Sequence, residues 1–134
     1  MADAPTTRGD QGDDFIVGEP FQFIGRVRRR AISEVLGTTQ TRVRHVSFDA
    51  GTRSRPHTHS HDQLLYYVKP GLIAIDGGDD QMIEAGEYVL LPGGVAHMHG
   101  ARNDQPSEHI SIMDEIDSDF ECAIPEQWRR FRDR

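Results

Sequence analysis

The chain has 134 residues, 36% of them hydrophobic, and its 22 acidic side chains outnumber 15 basic ones for a formal net charge of −7. That length predicts one domain, large enough to bury a core without staples. The charge excludes nucleic acid and anionic membrane as main partners. Cys122, the single cysteine, excludes an internal disulfide and fits a reducing compartment.

Residues 1–14 are rich in Asp, Gly and Thr, which predicts a mobile tail ahead of a single domain over 15–134. The N-terminal region shows no apolar signal segment and no run near the roughly eighteen apolar residues of a membrane span, so a soluble cytoplasmic protein is expected. Phe15 to Ile24, broken by Gly18 and Pro20, reads as one or two short edge strands. Arg26, Arg28, Arg29 and Arg30 read as a solvated strand edge or loop. Strands are then expected over 41–49, 63–68, 71–76, 81–83, 87–91, 97–101 and 109–113, with Gly77-Gly78-Asp79-Asp80 and Pro92-Gly93-Gly94 as turns. Short strands punctuated by Gly, Pro and Asp predict an all-β sandwich or barrel. Only Pro125 to Arg132 looks helical, with proline in the first turn and arginines in the last. Trp128 and Phe131 would pack that helix onto the barrel.

Two short blocks carry the chemistry. In GTRSRPHTHSHDQ (51–63), His57, His59 and Gln63 share one strand parity, and His57 and His59 stand about two residue rises (~6–7 Å) apart on one face. In GEYVLLPGGVAH (86–97), Pro92 ends a strand and Gly94 allows a tight turn before His97. Three imidazoles and one amide oxygen can close around one divalent ion. Imidazole suits Zn, Cu, Fe and Ni, and the oxygen donor extends the choice to Mn. The bland alternative is surface or hydrogen-bonded core histidines, which the paired blocks disfavour.

These blocks resemble the two motifs of the cupin family. The first is Gly51, TRSRP, His57-Thr58-His59, SHD, Gln63 and Gly71, and the second is Gly86, EYVLL, Pro92-Gly93-Gly94, VA, His97 and Ala101, with 14 residues between Gly71 and Gly86. Gln63 stands where the family usually has Glu, and Ala101 where it has Asn. The resemblance covers about residues 41–113. It implies a double-stranded β-helix, or jelly-roll barrel, with the metal inside, a small-molecule substrate and a homodimer. The continuation HMHGARNDQPSEHISI resembles a narrower group of single-domain cupins, the carboxymuconolactone decarboxylase-like proteins and the cupin hydroxynitrile lyases. That likeness matches His57, His59, Gln63 and His97 to metal ligands and His109 to a further pocket histidine. One divalent transition metal is implied, Mn or Fe first and Zn or Ni next.

Four neutral donors leave a divalent ion its full charge, which favours Lewis-acid chemistry over oxygen activation. The expectation is a lyase, decarboxylase or isomerase acting on a small carbonyl, carboxylate or hydroxyl compound. A non-haem iron dioxygenase and a non-catalytic metal- or ligand-binding protein are the alternatives. His109, at the start of HISIM, is the expected catalytic base, with a near-neutral pKa; His61 and His99 are weaker candidates. Arg44, Val46, Phe48, Leu65, Tyr67, His99 and Met113 are expected to line the substrate pocket. For Arg44 two registers stay open. It points inward with Val46 and Phe48 and clamps a substrate carboxylate, or it lies outside while Val43 and His45 turn in.

Overall fold

A computed structural model describes residues 3–10, 16–17, 22–115 and 117–132. Residues 1, 2 and 11–14 of the expected tail lie outside these, as do Phe15 and 18–21 of the first expected strand segment. The strands are β1 (Ile16–Val17), β2 (Phe23–Ile24), β3 (Val27–Ala31), β4 (Arg42–Phe48), β5 (Arg53–Ser54), β6 (Gln63–Lys69), β7 (Gly71–Ile75), β8 (Gln81–Ile83), β9 (Tyr88–Leu91), β10 (His97–Gly100) and β11 (Ser107–Met113). Among the described residues they form a six-stranded sheet in the order β1-β3-β4-β11-β6-β9 and a five-stranded sheet in the order β2-β5-β10-β7-β8. All pairings are antiparallel. This is the expected all-β jelly-roll barrel.

Alternation decides what faces inward. On β11, Ser107, His109, Ser111 and Met113 are buried while the residues between them are half-buried. On β6, Gln63, Leu65 and Tyr67 are buried. β10 breaks the rule, with all four residues buried. The C-terminal segment explains this: a 3₁₀ turn (Glu126–Trp128) runs into a short helix, α2 (Arg129–Arg132), and Trp128 packs on Met98, Ala74 and Ala96. Its indole N–H donates to the Gly78 carbonyl at 3.2 Å. His97 and His99 can therefore face the interior while Met98 is covered from outside. Trp128→Ala is expected to cost about 3–5 kcal/mol, the usual range for removing a buried large aromatic. A urea unfolding curve with an unchanged midpoint would show that the helix is not part of the core.

Two expectations need correction. A further helix, α1 (Ile32–Leu36), follows β3 and stops at Gly37, which is left-handed at φ 77°. Five residues are too few for an amphipathic period to show. The arginine-rich segment is not a solvated edge either. β3 is paired on both sides, by β1 and β4. Arg30 is buried and donates to Thr7 Oγ1 at 2.6 Å.

Candidate metal centre

The two blocks clasp each other through backbone. His57 and His97 exchange backbone hydrogen bonds at 3.1 and 3.0 Å, and the Gly94 N–H donates to the His59 carbonyl at 2.7 Å. The Gly93 N–H donates to Asp62 Oδ1 at 2.9 Å. The turn lies so close that a Cβ on Gly93 would sit 2.9 Å from the Ser60 carbonyl oxygen, and Gly94 needs φ +80°. Glycine in this turn thus serves close approach as much as chain reversal.

The clasp brings three imidazoles together. His57, His59 and His97 are buried, and their ligand atoms lie within 4.8 Å of one another. The ring centroids of His57 and His97 are 4.3 Å apart. Each ring is oriented by a backbone carbonyl that can only accept: His57 Nδ1 donates to Arg55 at 2.7 Å, His59 Nδ1 to Asp117, and His97 Nδ1 to Val95 at 3.2 Å. Each therefore carries its proton on Nδ1 and leaves the Nε2 lone pair for a ligand. Gln63 Nε2 donates to Ser111 Oγ at 2.7 Å, which fixes its amide. Among the described residues, His59 Nε2, His97 Nε2 and Gln63 Oε1 are buried without a hydrogen-bond partner. Buried polar atoms are ordinarily paired, so these orphaned acceptors fit a cation. The three histidines can hold a metal ion.

Electrostatics keeps these rings in the form a metal takes. Burial, then the neighbouring His97, drives His57 well below the usual histidine value. Burial lowers His59. Burial, then His59, brings His97 down to about 4. All three are neutral at pH 7.

The cavity beside His57, His59 and Gln63 is about 40 Å³, and its wall includes Arg29, Arg44, Val46, His99, His109 and Ser111. Ser118 and Phe120 come from the segment after β11, and Phe120 stacks on His57 with centroids 4.6 Å apart. β4 has the register that turns Val46 and Phe48 into the core and Arg44 toward the cavity. His45 lies on the other face, with Nε2 3.1 Å from Glu108 Oε1.

Four expected pocket residues lie elsewhere. Phe48 sits behind His99 and His109 with centroids at 5.3 and 5.6 Å. Leu65 and Tyr67 pack in a core cluster with Ile73, Ile83 and Leu91. They are two and four residues beyond Gln63 on β6, about 7 and 14 Å down the strand. Met113 lines an outer groove with His61 and Asp62. His61 is exposed, with Nδ1 2.8 Å from Ser60 Oγ. His109 is in the wall, but its pKa is not near neutral: burial, with His45 adding, brings it to about 3. Its Nε2 is also buried without a partner.

The sequence reading missed Arg29, Ser111, Phe120 and the Asp117 carbonyl. Ser111 shares strand parity with His109, which was a usable signal. Phe120 and Asp117 belong to no motif.

The cupin domain family matches residues 44–113. The chain belongs to the cupin family. That span contains His57, His59, Gln63, His97 and His109. Among solved structures this cupin is similar to a cupin-like protein from Thermotoga maritima at 25% identity, with a TM-score of 0.74 over 92% of this chain and 98% of that one. It is also similar to the polyketide cyclase RemF from Streptomyces resistomycificus at 14% identity, with a TM-score of 0.70 over 92% of each chain. A sugar phosphate isomerase of the cupin superfamily from Silicibacter pomeroyi gives 19% identity and a TM-score of 0.61, over 67% of this chain and 60% of that one. The last two likenesses are of fold alone. No curated protein matches the chain. Among the described residues no helix is long and apolar enough to cross a membrane.

Proposed function

We propose that this cupin is a metal-dependent enzyme of the lyase, decarboxylase or isomerase type, acting on a small oxygenated compound. The observation that carries the reading is the buried group of His57, His59 and His97, in which His59 Nε2 and His97 Nε2 are orphaned acceptors, with the orphaned Gln63 Oε1 on a residue that lines the same cavity as His57 and His59. His57, His59, His97 and Gln63 would hold one divalent ion, Mn or Fe first, which supplies Lewis acidity toward a carbonyl or hydroxyl oxygen. The donor set is neutral, which favours this over oxygen activation. The H-T-H, Gln and H-x-H-G-A pattern supports a place near the carboxymuconolactone decarboxylase-like cupins and the hydroxynitrile lyases. The fold also hosts a cyclase and an isomerase.

The protein side of the chemistry falls to few groups. His109, a neutral imidazole in the cavity wall whose Nε2 is buried without a partner, would be the acceptor for a substrate proton. With a pKa of about 3 it is a weak base in the empty cavity. Proton transfer from the substrate to Nε2 leaves a negative charge beside the new imidazolium, and that attraction offsets the burial that disfavours it. Phe120 and Ser118 stand in the cavity wall, Phe120 against the His57 ring. The homodimer implied by the family resemblance would cover Tyr88 and Leu90, which are 69% and 53% exposed.

The test is turnover of small hydroxy and keto acids by the Mn²⁺- or Fe²⁺-loaded protein without oxygen, followed by NMR. Anaerobic conversion supports the reading, while oxygen uptake matched one for one to substrate would establish the dioxygenase instead. His109→Gln is expected to retain metal and lose about 10²–10⁴-fold in turnover. Undiminished turnover would place the base elsewhere.

A further inference from the structure

The described residues that line the metal cavity include two guanidinium groups, Arg29 and Arg44, and no carboxylate. The imidazoles are neutral, so among the described residues the charge in the wall is cationic, in a chain whose net charge is −7. Both arginines belong to the barrel wall. Across the β3–β4 pair, Val27 faces Phe48, Arg29 faces Val46 and Ala31 faces Arg44. These inward rows run from apolar core to cationic cavity. Arg44 also faces Ser111 across the β4–β11 pair, and Ser111 holds the Gln63 amide. Arg29 lies against the Phe23 ring, with its guanidinium carbon 5.7 Å from the centroid.

Arg44 is half-buried, and among the described residues no ion pair joins it to a carboxylate. Burial, then the like charge of Arg29, brings it down to about 10, with the Glu34 carboxylate acting the other way but making no ion pair with it. Its charge is also felt at the His59 ring. A desolvated guanidinium is stabilised by an anion that accepts two parallel N–H bonds. A cavity of about 40 Å³ restricts the ligand to a small compound, since one water needs about 10–15 Å³ on the same scale.

We propose that Arg44, with Arg29 beside it, is a carboxylate clamp, and that the substrate is a small carboxylic acid whose second oxygen group faces the His57, His59, His97 and Gln63 donors. This rests on the metalloenzyme function proposed above. The clamp fixes the carboxylate end and leaves the other end of the molecule between the metal donors and His109 Nε2.

The experiment is calorimetric titration of the Mn²⁺-loaded protein with malonate, with the neutral malonamide and with inorganic phosphate, alongside elemental analysis of metal content. Malonate is expected to bind at least about tenfold more tightly than malonamide, the worth of one charge-assisted pair. Arg44→Gln is expected to lose about tenfold or more in malonate affinity at unchanged metal content, and Arg44→Lys to recover part of it. Arg28→Gln, on the outer face beside Asp49, is the control and leaves the affinity unchanged. Equal binding of malonate and malonamide, or no effect of Arg44→Gln and Arg29→Gln, would overturn the clamp. Phosphate binding more tightly than malonate would overturn the carboxylate assignment. If Arg44→Gln fails to fold, Arg44→Lys alone decides: undiminished affinity overturns the clamp and a several-fold loss supports it. If the wild type takes up no metal, the metalloenzyme reading fails by itself. The same titration of metal-free protein then still judges the clamp, by whether malonate binding depends on Arg44.

Discussion

His97→Ala, dialysed against Mn²⁺ and then against a weak chelator, is expected to keep its fold and lose its metal. The backbone of His97 is held by its exchange of hydrogen bonds with His57, and that exchange does not need the ring. The ring contributes one of three buried imidazole nitrogens lying within 4.8 Å of one another. Replacing even a supporting partner of a metal ligand costs about 10–100-fold in affinity, and loss of the ligand itself is expected to exceed that. The ratio of metal to protein should fall from near one to near zero, while the circular dichroism spectrum stays that of a β protein. An unchanged ratio would remove His97 from the ligand set. Gln63→Glu in the same measurement should move the other way, because a carboxylate neutralises one unit of the ion's charge.

The metal-free protein is expected to lose stability steeply between pH 6.5 and pH 5. Above pH 6.5, the ordinary histidine value, these imidazoles are neutral both folded and unfolded. Below it the unfolded chain takes up protons that His109 and His97 refuse until the pH nears about 3 and about 4. The unfolded state then binds more protons, so stability falls as pH falls. Each such histidine costs about 1.4 kcal/mol per pH unit, so the two together cost roughly 2–3 kcal/mol between pH 6 and pH 5. His57 and His99 act in the same direction, since burial lowers both. Against a total stability of about 5–15 kcal/mol, this is a large loss. Urea midpoints at pH 7.5 and pH 5.0 measure it. His109→Leu should have a shallower pH dependence, by about 1.4 kcal/mol per unit. A midpoint that does not move would mean that the imidazoles are solvated and take up protons freely.

The histidine cluster was legible because it depends on short-range features. Thr58 between two histidines, and the Pro92-Gly93-Gly94 turn before His97, set the faces and the chain reversal within a few residues. The pocket wall was less legible. Leu65 and Tyr67 share parity with Gln63, but parity gives a face and not a depth, and the cavity lies at the Gln63 end of β6. His109 was placed at the site by its position, yet its pKa was misjudged, because burial by Phe48, His99 and Tyr67 is invisible along the chain. Arg29 stood in an arginine run that reads as solvated, until pairing on both sides of β3 turned every second residue inward.

The amino-acid sequence by itself determined the strand series, the turns and the grouping of His57, His59 and His97, since alternation and turn chemistry are properties of near neighbours. Only the tertiary structure decided that Arg44 and Arg29 share a cavity with His57, His59 and Gln63, that Phe120 lines it, and that burial lowers the His109 pKa. Each of these depends on strand register and burial, which are set by contacts between residues far apart in the chain.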